Sequence, residues 1–361
     1  MYAKKSVFWY KEFTNVRKRT MNYRLLGDSG LRVSEIVLGT MTFGKEWGWG
    51  SEKEESKSIF NEYIEQGGNF LDTANRYTEG RSEEYVGEFV NEMQIRDEVV
   101  IATKYSLFTK ANRINDGGNH RKNMMQSVEQ SLKRLNTDYI DLFYLHAWDY
   151  STKCDEVMRA FDDLVSQGKV LYIGISDTPA WIVSKCNTIA ELRGWSKFIA
   201  LQIEYSLLMR DGERDLLPMA KELGIGVTAW APLAGGALTG KYLQPNEDAK
   251  RLAADSKRLS ERNTEIVKTV VKIAQENNCS PGHIALQWIH SQEQQILPII
   301  GARTLEQFKD NLQYLNGKLT PEQINKLNEV SAIEKGFPHD FLAAPYVQTL
   351  LYGGFENKIS R

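Results

Sequence analysis

The 361-residue sequence predicts a single (β/α)8 barrel, the TIM-barrel fold. From residue 21 onward, eight short apolar runs alternate with amphipathic helical patterns, and polar or glycine residues end the runs. The runs are mostly continuous rather than alternating, as expected of parallel strands that are covered on both faces. A doubly wound sheet is the alternative, but the turn Gly39–Gly44 lacks the GxGxxG spacing that such a sheet usually carries after its first strand.

The predicted strands and a preceding hairpin occupy residues 25–301. Leu25–Ile36 predicts a β-hairpin around Gly27-Asp28-Ser29-Gly30, and we expect this hairpin to close the barrel floor. The eight strands of the barrel are Ile36–Met41, Asn69–Ala74, Glu98–Lys104, Ile140–His146, Val170–Ser176, Ile199–Tyr205, Gly226–Ala231 and Gln295–Gly301.

Helices are predicted between the strands from apolar residues spaced three and four apart. The segment Ser51-Glu52-Lys53-Glu54 predicts a capping box at the start of the first helix. That helix should bury Ile59, Phe60, Tyr63 and Ile64. Gly67-Gly68, Gly168 and Gly224 stand where helices should end, because glycine adopts the left-handed conformation that closes a helix.

The two ends of the chain differ from the repeat. Residues 1–20 hold six basic residues and one acid, with several aromatic side chains. We favour an extension upstream of an alternative start at Met21, and a membrane- or partner-binding arm is the other interpretation. The predicted organisation is therefore an extension over residues 1–20, one barrel over 21–335 and a C-terminal loop segment over 336–361.

Composition narrows the classes of function. The 45 Lys and Arg residues nearly balance 47 Asp and Glu, and a net charge of −2 argues against nucleic-acid or anionic-membrane binding. No apolar run approaches the ~18 residues of a membrane helix. The three cysteines are widely separated and predict neither a disulfide framework nor a zinc site. We expect a cytoplasmic protein without a metal that acts on a small molecule, in an oligomeric state that the sequence leaves open.

Four polar residues are predicted to meet at the mouth of the barrel, where the C-terminal ends of the strands form the active site. Asp72, Lys104 and His146 stand at or near the ends of three predicted strands, and Tyr77 follows Asp72 in a loop. An ammonium group beside a phenol lowers the phenol's pKa, and a carboxylate keeps the ammonium charged. An imidazole can polarise a carbonyl group. Each residue alone has an ordinary structural explanation, but together they suit protonation of a carbonyl oxygen while hydride reaches its carbon.

The segments that carry these residues resemble those of the aldo-keto reductase superfamily. The likeness rests first on Leu71–Tyr77, Ala102–Lys104 and Ile140–His146, the three segments that hold the family's catalytic tetrad. It spans about residues 22–330 in one order and continues through Gly174–Ser176, Gln202–Leu208, Trp230–Leu233, Gly240–Tyr242 and Ile300–Thr304.

The resemblance implies a role for each matching residue. Tyr77 would be the general acid, Lys104 and Asp72 the pair that lowers its pKa, and His146 the donor that orients the carbonyl. Cofactor contacts would follow the same order: Ser176 and Gln202 with the nicotinamide carboxamide, Trp230 with its ring, Leu233, Gly235, Leu238, Gly240 and Lys241 with the pyrophosphate, and Gly301, Arg303, Gln307 and Asn311 toward the adenosine end.

The implied cofactor is NADP(H), because the planar fork of Arg303 suits a 2′-phosphate. Two features depart from the family pattern. Asp177 stands where many members have asparagine, which leaves its role open, and a short loop after Lys241 would cover the pyrophosphate loosely.

Ser176–Trp181 and Gly336–Leu342 most resemble the aryl-alcohol dehydrogenase-like branch. Aromatic residues in predicted mouth loops would then bind a flat aldehyde, although aromatic packing between loops explains them equally well. They are Trp47, Trp49, Phe108 and Trp148.

These observations favour an NADP(H)-dependent reductase of aldehydes or ketones. One alternative is a nicotinamide-binding sensor or auxiliary subunit with slow turnover, like the potassium-channel β subunits of the superfamily. A metal-dependent hydrolase is disfavoured because it needs several ligands at strand ends. Of five histidines only His146 ends a strand, and His283 and His290 fall in a helical pattern.

Overall fold

The structure, a computed structural model, describes residues 21–243, 252–253 and 255–359. The predictions for residues 1–20 and for the loop beyond Leu243 lie outside the described residues. By the contacts between its residues, the chain groups into two compact units. The first comprises the described parts of Met1–Gln202, with Gly224–Thr228 and Leu297–Gln313. The second comprises those of Ile203–Leu223, Ala229–Ile296 and Tyr314–Arg361.

Eight parallel strands form a closed barrel behind an N-terminal hairpin of β1 (Tyr23–Leu25) and β2 (Arg32–Ser34), so the (β/α)8 prediction is confirmed. The barrel strands are β3 (Val37–Gly39), β4 (Phe70–Asp72), β5 (Val100–Tyr105), β6 (Ile140–Leu145), β7 (Val170–Ser176), β8 (Phe198–Glu204), β9 (Gly226–Trp230) and β10 (Ile296–Ile300). Around the barrel the order is β10 and then β3 to β9.

The hairpin lies on the barrel floor, as predicted. Its two strands pair antiparallel, and the amide of Asp28 in the turn donates to the carbonyl of Gly224 over 2.8 Å, just before β9. The amide of Ser34 donates to Oδ1 of Asn69 over 2.7 Å, just before β4. These bonds join the hairpin to the N-terminal ends of the strands, opposite the end where Asp72 and Lys104 stand.

The hairpin turn requires glycine at position 27. Gly27 has a φ of +58°, and a Cβ atom there would lie 2.4 Å from the Gly224 carbonyl oxygen and 2.6 Å from the Gly226 nitrogen. Because both neighbours are backbone atoms, Gly27→Ala should lower the free energy of unfolding by about 2 kcal/mol or more, measured by urea denaturation. Gly30→Ala is the matched control, since a Cβ there meets nothing within 4 Å. Equal losses for the two variants would contradict the packing argument.

Helices follow the strands. They are α1 (Lys53–Glu65), α2 (Arg81–Met93), α3 (Arg121–Leu135), α4 (Cys154–Ser166), α5 (Ala180–Arg193), α6 (Leu216–Glu222), α7 (Glu261–Glu276), α8 (Pro281–His290), α9 (Leu305–Leu312), α10 (Pro321–Val330), α11 (His339–Ala343) and α12 (Pro345–Tyr352). Within the described residues, no helix is both long and apolar enough to cross a membrane.

The predicted C-terminal ends of three helices are confirmed, but the predicted N-terminal cap of α1 is wrong. Gly67, Gly168 and Gly224 directly follow the C-caps of α1, α4 and α6 with positive φ angles. The predicted capping box of α1 is absent, because Ser51 lies outside the cap and donates its Oγ to the Arg303 carbonyl over 2.8 Å. Glu52 takes the N-cap position without a side-chain capping bond.

The last 26 residues of the chain contain more regular structure than the predicted loop. Helices α11 and α12 lie within this segment, which belongs to the second unit. In the same unit, Arg210 donates to the Asn328 carbonyl over 3.0 Å and to Ser331 over 2.8 Å, and Arg214 donates to the Glu334 carbonyl. These bonds attach the chain just before the C-terminal segment to the loop after β8.

Candidate active site

A buried ion pair joins the ends of two neighbouring strands. Asp72 is the last residue of β4, and Lys104 lies near the end of β5, two residues beyond the partner of Asp72 in the strand register. Nζ of Lys104 lies 2.7 Å from Oδ2 of Asp72, and the Lys104 side chain is fully buried. The parallel register therefore brings together two charged groups that the sequence predicted to meet.

Lys104 uses all three of its ammonium hydrogens. Besides Asp72, Nζ donates to the Thr73 carbonyl over 2.7 Å and to the Tyr77 hydroxyl over 3.2 Å. Burial by itself lowers the pKa of Lys104, but the charge of Asp72 and the contact with Tyr77 outweigh it, so the pKa is raised. Lys104 is therefore a charged group at neutral pH that points directly at the phenol.

The pKa of Tyr77 departs from the sequence prediction. Burial raises the pKa of this phenol and is the largest influence, while the nearby Lys104 charge lowers it and the Asp72 charge raises it again. The net direction is upward, so the predicted lowering effect of the Lys104 ammonium is present but does not bring the pKa of Tyr77 below its usual value. The phenol is protonated at neutral pH, as a proton donor must be.

Two unusual backbone conformations follow Tyr77. Thr78 and Glu79 have φ angles of 46° and 57°, in the left-handed region that β-branched residues such as threonine rarely adopt. The Thr78 hydroxyl donates to the Phe43 carbonyl over 2.7 Å and accepts from the Ser82 amide over 3.1 Å. Such strain persists where surrounding contacts hold the backbone, and here those contacts keep the Tyr77 loop against the barrel.

His146 completes the predicted group. It follows β6, and its ring lies edge-on to the Tyr77 ring with the centroids 5.8 Å apart. Burial, with a further contribution from the Lys104 charge, lowers the pKa of His146 to about 3. Its Nδ1 atom is buried and has no hydrogen-bond partner in the described part of the chain. His146 is therefore a neutral imidazole, able to donate a hydrogen bond but not to carry a second positive charge beside Lys104.

The low pKa of His146 predicts a specific pH behaviour. Its imidazole should stay neutral between about pH 5 and pH 8, where an unperturbed histidine titrates. Since the unfolded chain binds this proton more readily than the folded one, stability should fall as pH drops from about 6.5 toward 3. Imidazole NMR shifts, assigned with His146→Gln, measure the titration. A midpoint near pH 6.5 in the folded protein would contradict the burial argument.

Some predicted cofactor residues lie in the first unit. Ser176, at the end of β7, is almost fully buried and its Oγ has no partner among the described residues. Gln202 donates its amide to Oδ1 of Asp72 over 2.8 Å, and so supports the ion pair from a third strand. A carboxamide ligand would satisfy the Ser176 hydroxyl, so this part of the site fits a nicotinamide.

The loop between β10 and α9 holds Gly301 and Arg303. The Arg303 amide donates to Oε1 of Gln307 over 3.1 Å, which brings these two residues together at the start of α9. Asn311 is largely buried one helical turn further along. This arrangement leaves a basic side chain at a helix N-terminus, a favourable place for an anionic group.

The remaining predicted cofactor residues lie in the second unit, in and after β9. Trp230 is the last residue of β9 and is half-buried. Gly235 and Gly240 have positive φ angles of 68° and 79° within the turn that also contains Leu233. Leu238 is fully buried, so its side chain packs inside the unit. Nζ of Lys241 lies over the Tyr242 ring, 5.3 Å from its centroid.

Three of the four predicted substrate-pocket aromatics belong to one cluster. Trp47 and Trp49 have ring centroids 5.7 Å apart, and Trp47 is joined to Phe108 through the guanidinium group of Arg76. Trp148 follows His146 and donates its amide to the Asp177 carbonyl over 3.4 Å. Asp177 itself is exposed and has a φ of 40°.

Sequence reasoning missed several groups that support the site. The Thr73 carbonyl lies inside the matched motif, but no pattern marked it as a ligand of Lys104. The Thr103 hydroxyl donates to the buried carboxylate of Glu83 over 2.6 Å, and Arg134 donates to the same carboxylate. Because Glu83 and Arg134 are 51 residues apart, only the fold brings them together.

The chain belongs to the aldo/keto reductase family, whose model matches residues 35–332, and is therefore an oxidoreductase. Members of this family reduce carbonyl groups with nicotinamide cofactors.

Two relatives illustrate what the chain is similar to. It is 39% identical over 329 residues to a norsolorinic acid reductase of Aspergillus flavus, covering 89% of this chain and 84% of that protein. It is 38% identical over 329 residues to an aryl-alcohol dehydrogenase [NADP(+)] of Phanerodontia chrysosporium, covering 86% of each.

Proposed function

We propose that this protein reduces an aldehyde or ketone, such as an aryl aldehyde, to the alcohol with NADP(H), and that Tyr77 is the general acid. The observation that carries the proposal is the position of the Lys104 ammonium, 3.2 Å from the Tyr77 hydroxyl and 2.7 Å from Asp72. This arrangement places a fixed positive charge where the phenol develops negative charge as it gives up its proton.

The proposed reaction adds one hydride and one proton to the carbonyl group. When bound, NADP(H) would supply the hydride, and with it the two electrons, that the carbonyl carbon takes up, and Ser176, Gln202 and Trp230 are the residues proposed to hold its nicotinamide. Tyr77 gives its hydroxyl proton to the carbonyl oxygen as the C=O bond becomes C–O, and Lys104 stabilises the phenolate that remains. Neutral His146 donates a hydrogen bond to the same oxygen and orients it toward Tyr77. Asp72, held by Gln202, keeps Lys104 charged in a buried place.

We assign the cofactor contacts as the family resemblance implies. Ser176 and Gln202 would bind the carboxamide, and Trp230 would stack on the nicotinamide ring. The buried Ser176 hydroxyl, which has no partner among the described residues, supports the first of these assignments. The other proposed contacts come from Leu233, Gly235, Leu238, Gly240 and Lys241 for the pyrophosphate and from Gly301, Arg303, Gln307 and Asn311 for the adenosine end.

Preference for NADPH over NADH should depend on Arg303. Arg303→Ala should weaken NADPH binding about ten- to a hundredfold, the value of a charge-assisted hydrogen bond, and leave NADH binding nearly unchanged. Titration calorimetry with each cofactor measures this. Lys309→Ala is the matched control, since Lys309 lies on α9, the helix that follows Arg303, but pairs with Glu62 at 3.2 Å. Equal losses of affinity for the two cofactors would contradict the 2′-phosphate assignment.

Steady-state oxidation of NADPH with a nitrobenzaldehyde, with NADH run in parallel, tests the proposed function. We expect turnover that prefers NADPH. Tight NADPH binding without turnover on a panel of aldehydes would contradict the reductase proposal and favour the alternative, a nicotinamide-binding sensor. Failure to bind either nucleotide would contradict both.

A further inference from the structure

Arg76, the residue directly before Tyr77, lies between two aromatic rings. Its guanidinium carbon is 4.8 Å from the centroid of Phe108 and 5.8 Å from that of Trp47. Trp47 belongs to the loop after β3 and Phe108 to the loop after β5, while Arg76 itself follows β4. One side chain therefore contacts rings from both neighbouring loops at the barrel mouth.

Glu79 contacts both Arg76 and Trp47. Its carboxylate forms an ion pair with Arg76, and its Oε1 accepts a hydrogen bond from Nε1 of Trp47 over 3.0 Å. Glu79 is also one of the two residues with a left-handed backbone after Tyr77. The four residues Arg76, Glu79, Trp47 and Phe108, which we call the mouth cluster, thus hold three loops together around the segment that carries Tyr77.

The mouth cluster leaves aromatic surface accessible. Phe108 is 50% exposed and Trp47 is half-buried, whereas the Arg76 side chain is only 23% exposed. Exposed rings held in a fixed orientation offer a flat apolar surface on which another ring can stack. The two rings belong to the loops after β3 and β5, the strands on either side of β4, which the Tyr77 loop follows.

We propose that Arg76 is a positioning residue that sets the selectivity for aromatic over aliphatic carbonyl compounds, by holding Trp47 and Phe108 in place for the substrate ring. The inference rests on the proposed reductase function. A planar guanidinium group can face two rings at once and bind a carboxylate at its edge. A lysine keeps the charge but not the planar contact, and a methionine keeps only an apolar stem of similar reach.

The test compares nitrobenzaldehyde with butanal in NADPH-dependent reduction by Arg76→Met, Arg76→Lys and the wild type. For Arg76→Met the KM of nitrobenzaldehyde should rise about five- to tenfold, with kcat changed less than about twofold, because the substitution removes only cation–π interactions and an exposed ion pair. The constants for butanal should change less than about twofold, since it has no ring to stack. Arg76→Lys should fall between the wild type and Arg76→Met.

A matched control separates this role from a general effect on stability. Arg159→Met removes the same kinds of interaction from helix α4, where Arg159 faces the Trp195 ring at 5.6 Å and pairs with Asp163 at 2.8 Å. It should leave the reduction of both aldehydes unaffected.

Three results would overturn the inference. If Arg76→Met loses activity equally on both aldehydes, Arg76 does not set selectivity. The same conclusion follows if the variant reduces both aldehydes as well as the wild type does. If Arg76→Met does not fold, Arg76→Lys tests the inference instead. Its KM for nitrobenzaldehyde relative to its KM for butanal is then compared with the same ratio for the wild type. A wild-type protein that oxidises NADPH with neither aldehyde contradicts the proposed function itself, and the inference with it.

Discussion

Tyr77→Phe should lower kcat for carbonyl reduction by about two to four orders of magnitude while changing NADPH affinity less than about twofold. The variant removes only the hydroxyl oxygen, which is the proposed proton donor. Lys104 retains its bonds to Asp72 and the Thr73 carbonyl, so the loss of stability should not exceed about 1 kcal/mol. Stopped-flow turnover and fluorescence titration with NADPH measure the two effects.

Tyr85→Phe is the matched control for this experiment. Tyr85 lies on α2 with its ring 5.8 Å from that of Phe89, outside the proposed site. It should retain wild-type kcat. If Tyr77→Phe keeps more than about a tenth of wild-type turnover, Tyr77 does not act in the chemical step, because loss of a general acid lowers the rate by more than tenfold.

The hydroxyl proton of Tyr77 also determines how the rate of reduction should depend on pH. Since the pKa of Tyr77 is raised, reduction should persist through neutral pH and decline only as pH rises through that pKa, where the phenol loses the proton it must donate.

Lys104→Met should reduce both activity and stability. Without the ammonium, Asp72 remains a buried carboxylate whose remaining side-chain hydrogen bond within the described residues comes from Gln202, and removing one partner of a buried ion pair costs about 3–5 kcal/mol of folding free energy. Turnover should fall by about two orders of magnitude or more, because the phenolate of Tyr77 loses its stabilising charge. Urea unfolding and steady-state kinetics measure the two effects.

Lys221→Met makes the same substitution in an exposed pair. Lys221 lies 3.0 Å from Glu293 with both side chains largely exposed, and exposed pairs contribute about 0–1 kcal/mol. A Lys104→Met protein as stable as Lys221→Met would contradict the buried-pair interpretation.

The barrel could be predicted from sequence because its strands are buried on both faces. That burial produces the continuous apolar runs, and each predicted strand overlaps an observed one. The tetrad residues could be located for a related reason. A parallel barrel brings together the residues at the ends of its strands. The proximity of Asp72, Lys104 and His146 could therefore be predicted without knowledge of side-chain packing.

Other features depend on the three-dimensional surroundings and left no pattern in the sequence. The Ser51 hydroxyl bonds to the Arg303 carbonyl, a partner 252 residues away, and so does not cap α1. The pKa of Tyr77 rises because burial outweighs the Lys104 charge, and the degree of burial is not visible in a motif. The mouth cluster joins Trp47, Arg76 and Phe108 across three loops, whereas sequence reasoning could identify only the aromatic members.

The most direct test of the proposed chemistry uses NADPH carrying deuterium at the transferable position of its nicotinamide ring, with a nitrobenzaldehyde as substrate. Mass spectrometry of the alcohol should find one deuterium on the former carbonyl carbon, and the Tyr77→Phe variant should form that product at about a hundredth of the wild-type rate or less. An alcohol without deuterium, or no alcohol in the presence of bound NADPH, would contradict the proposal that this barrel reduces carbonyl groups by hydride transfer.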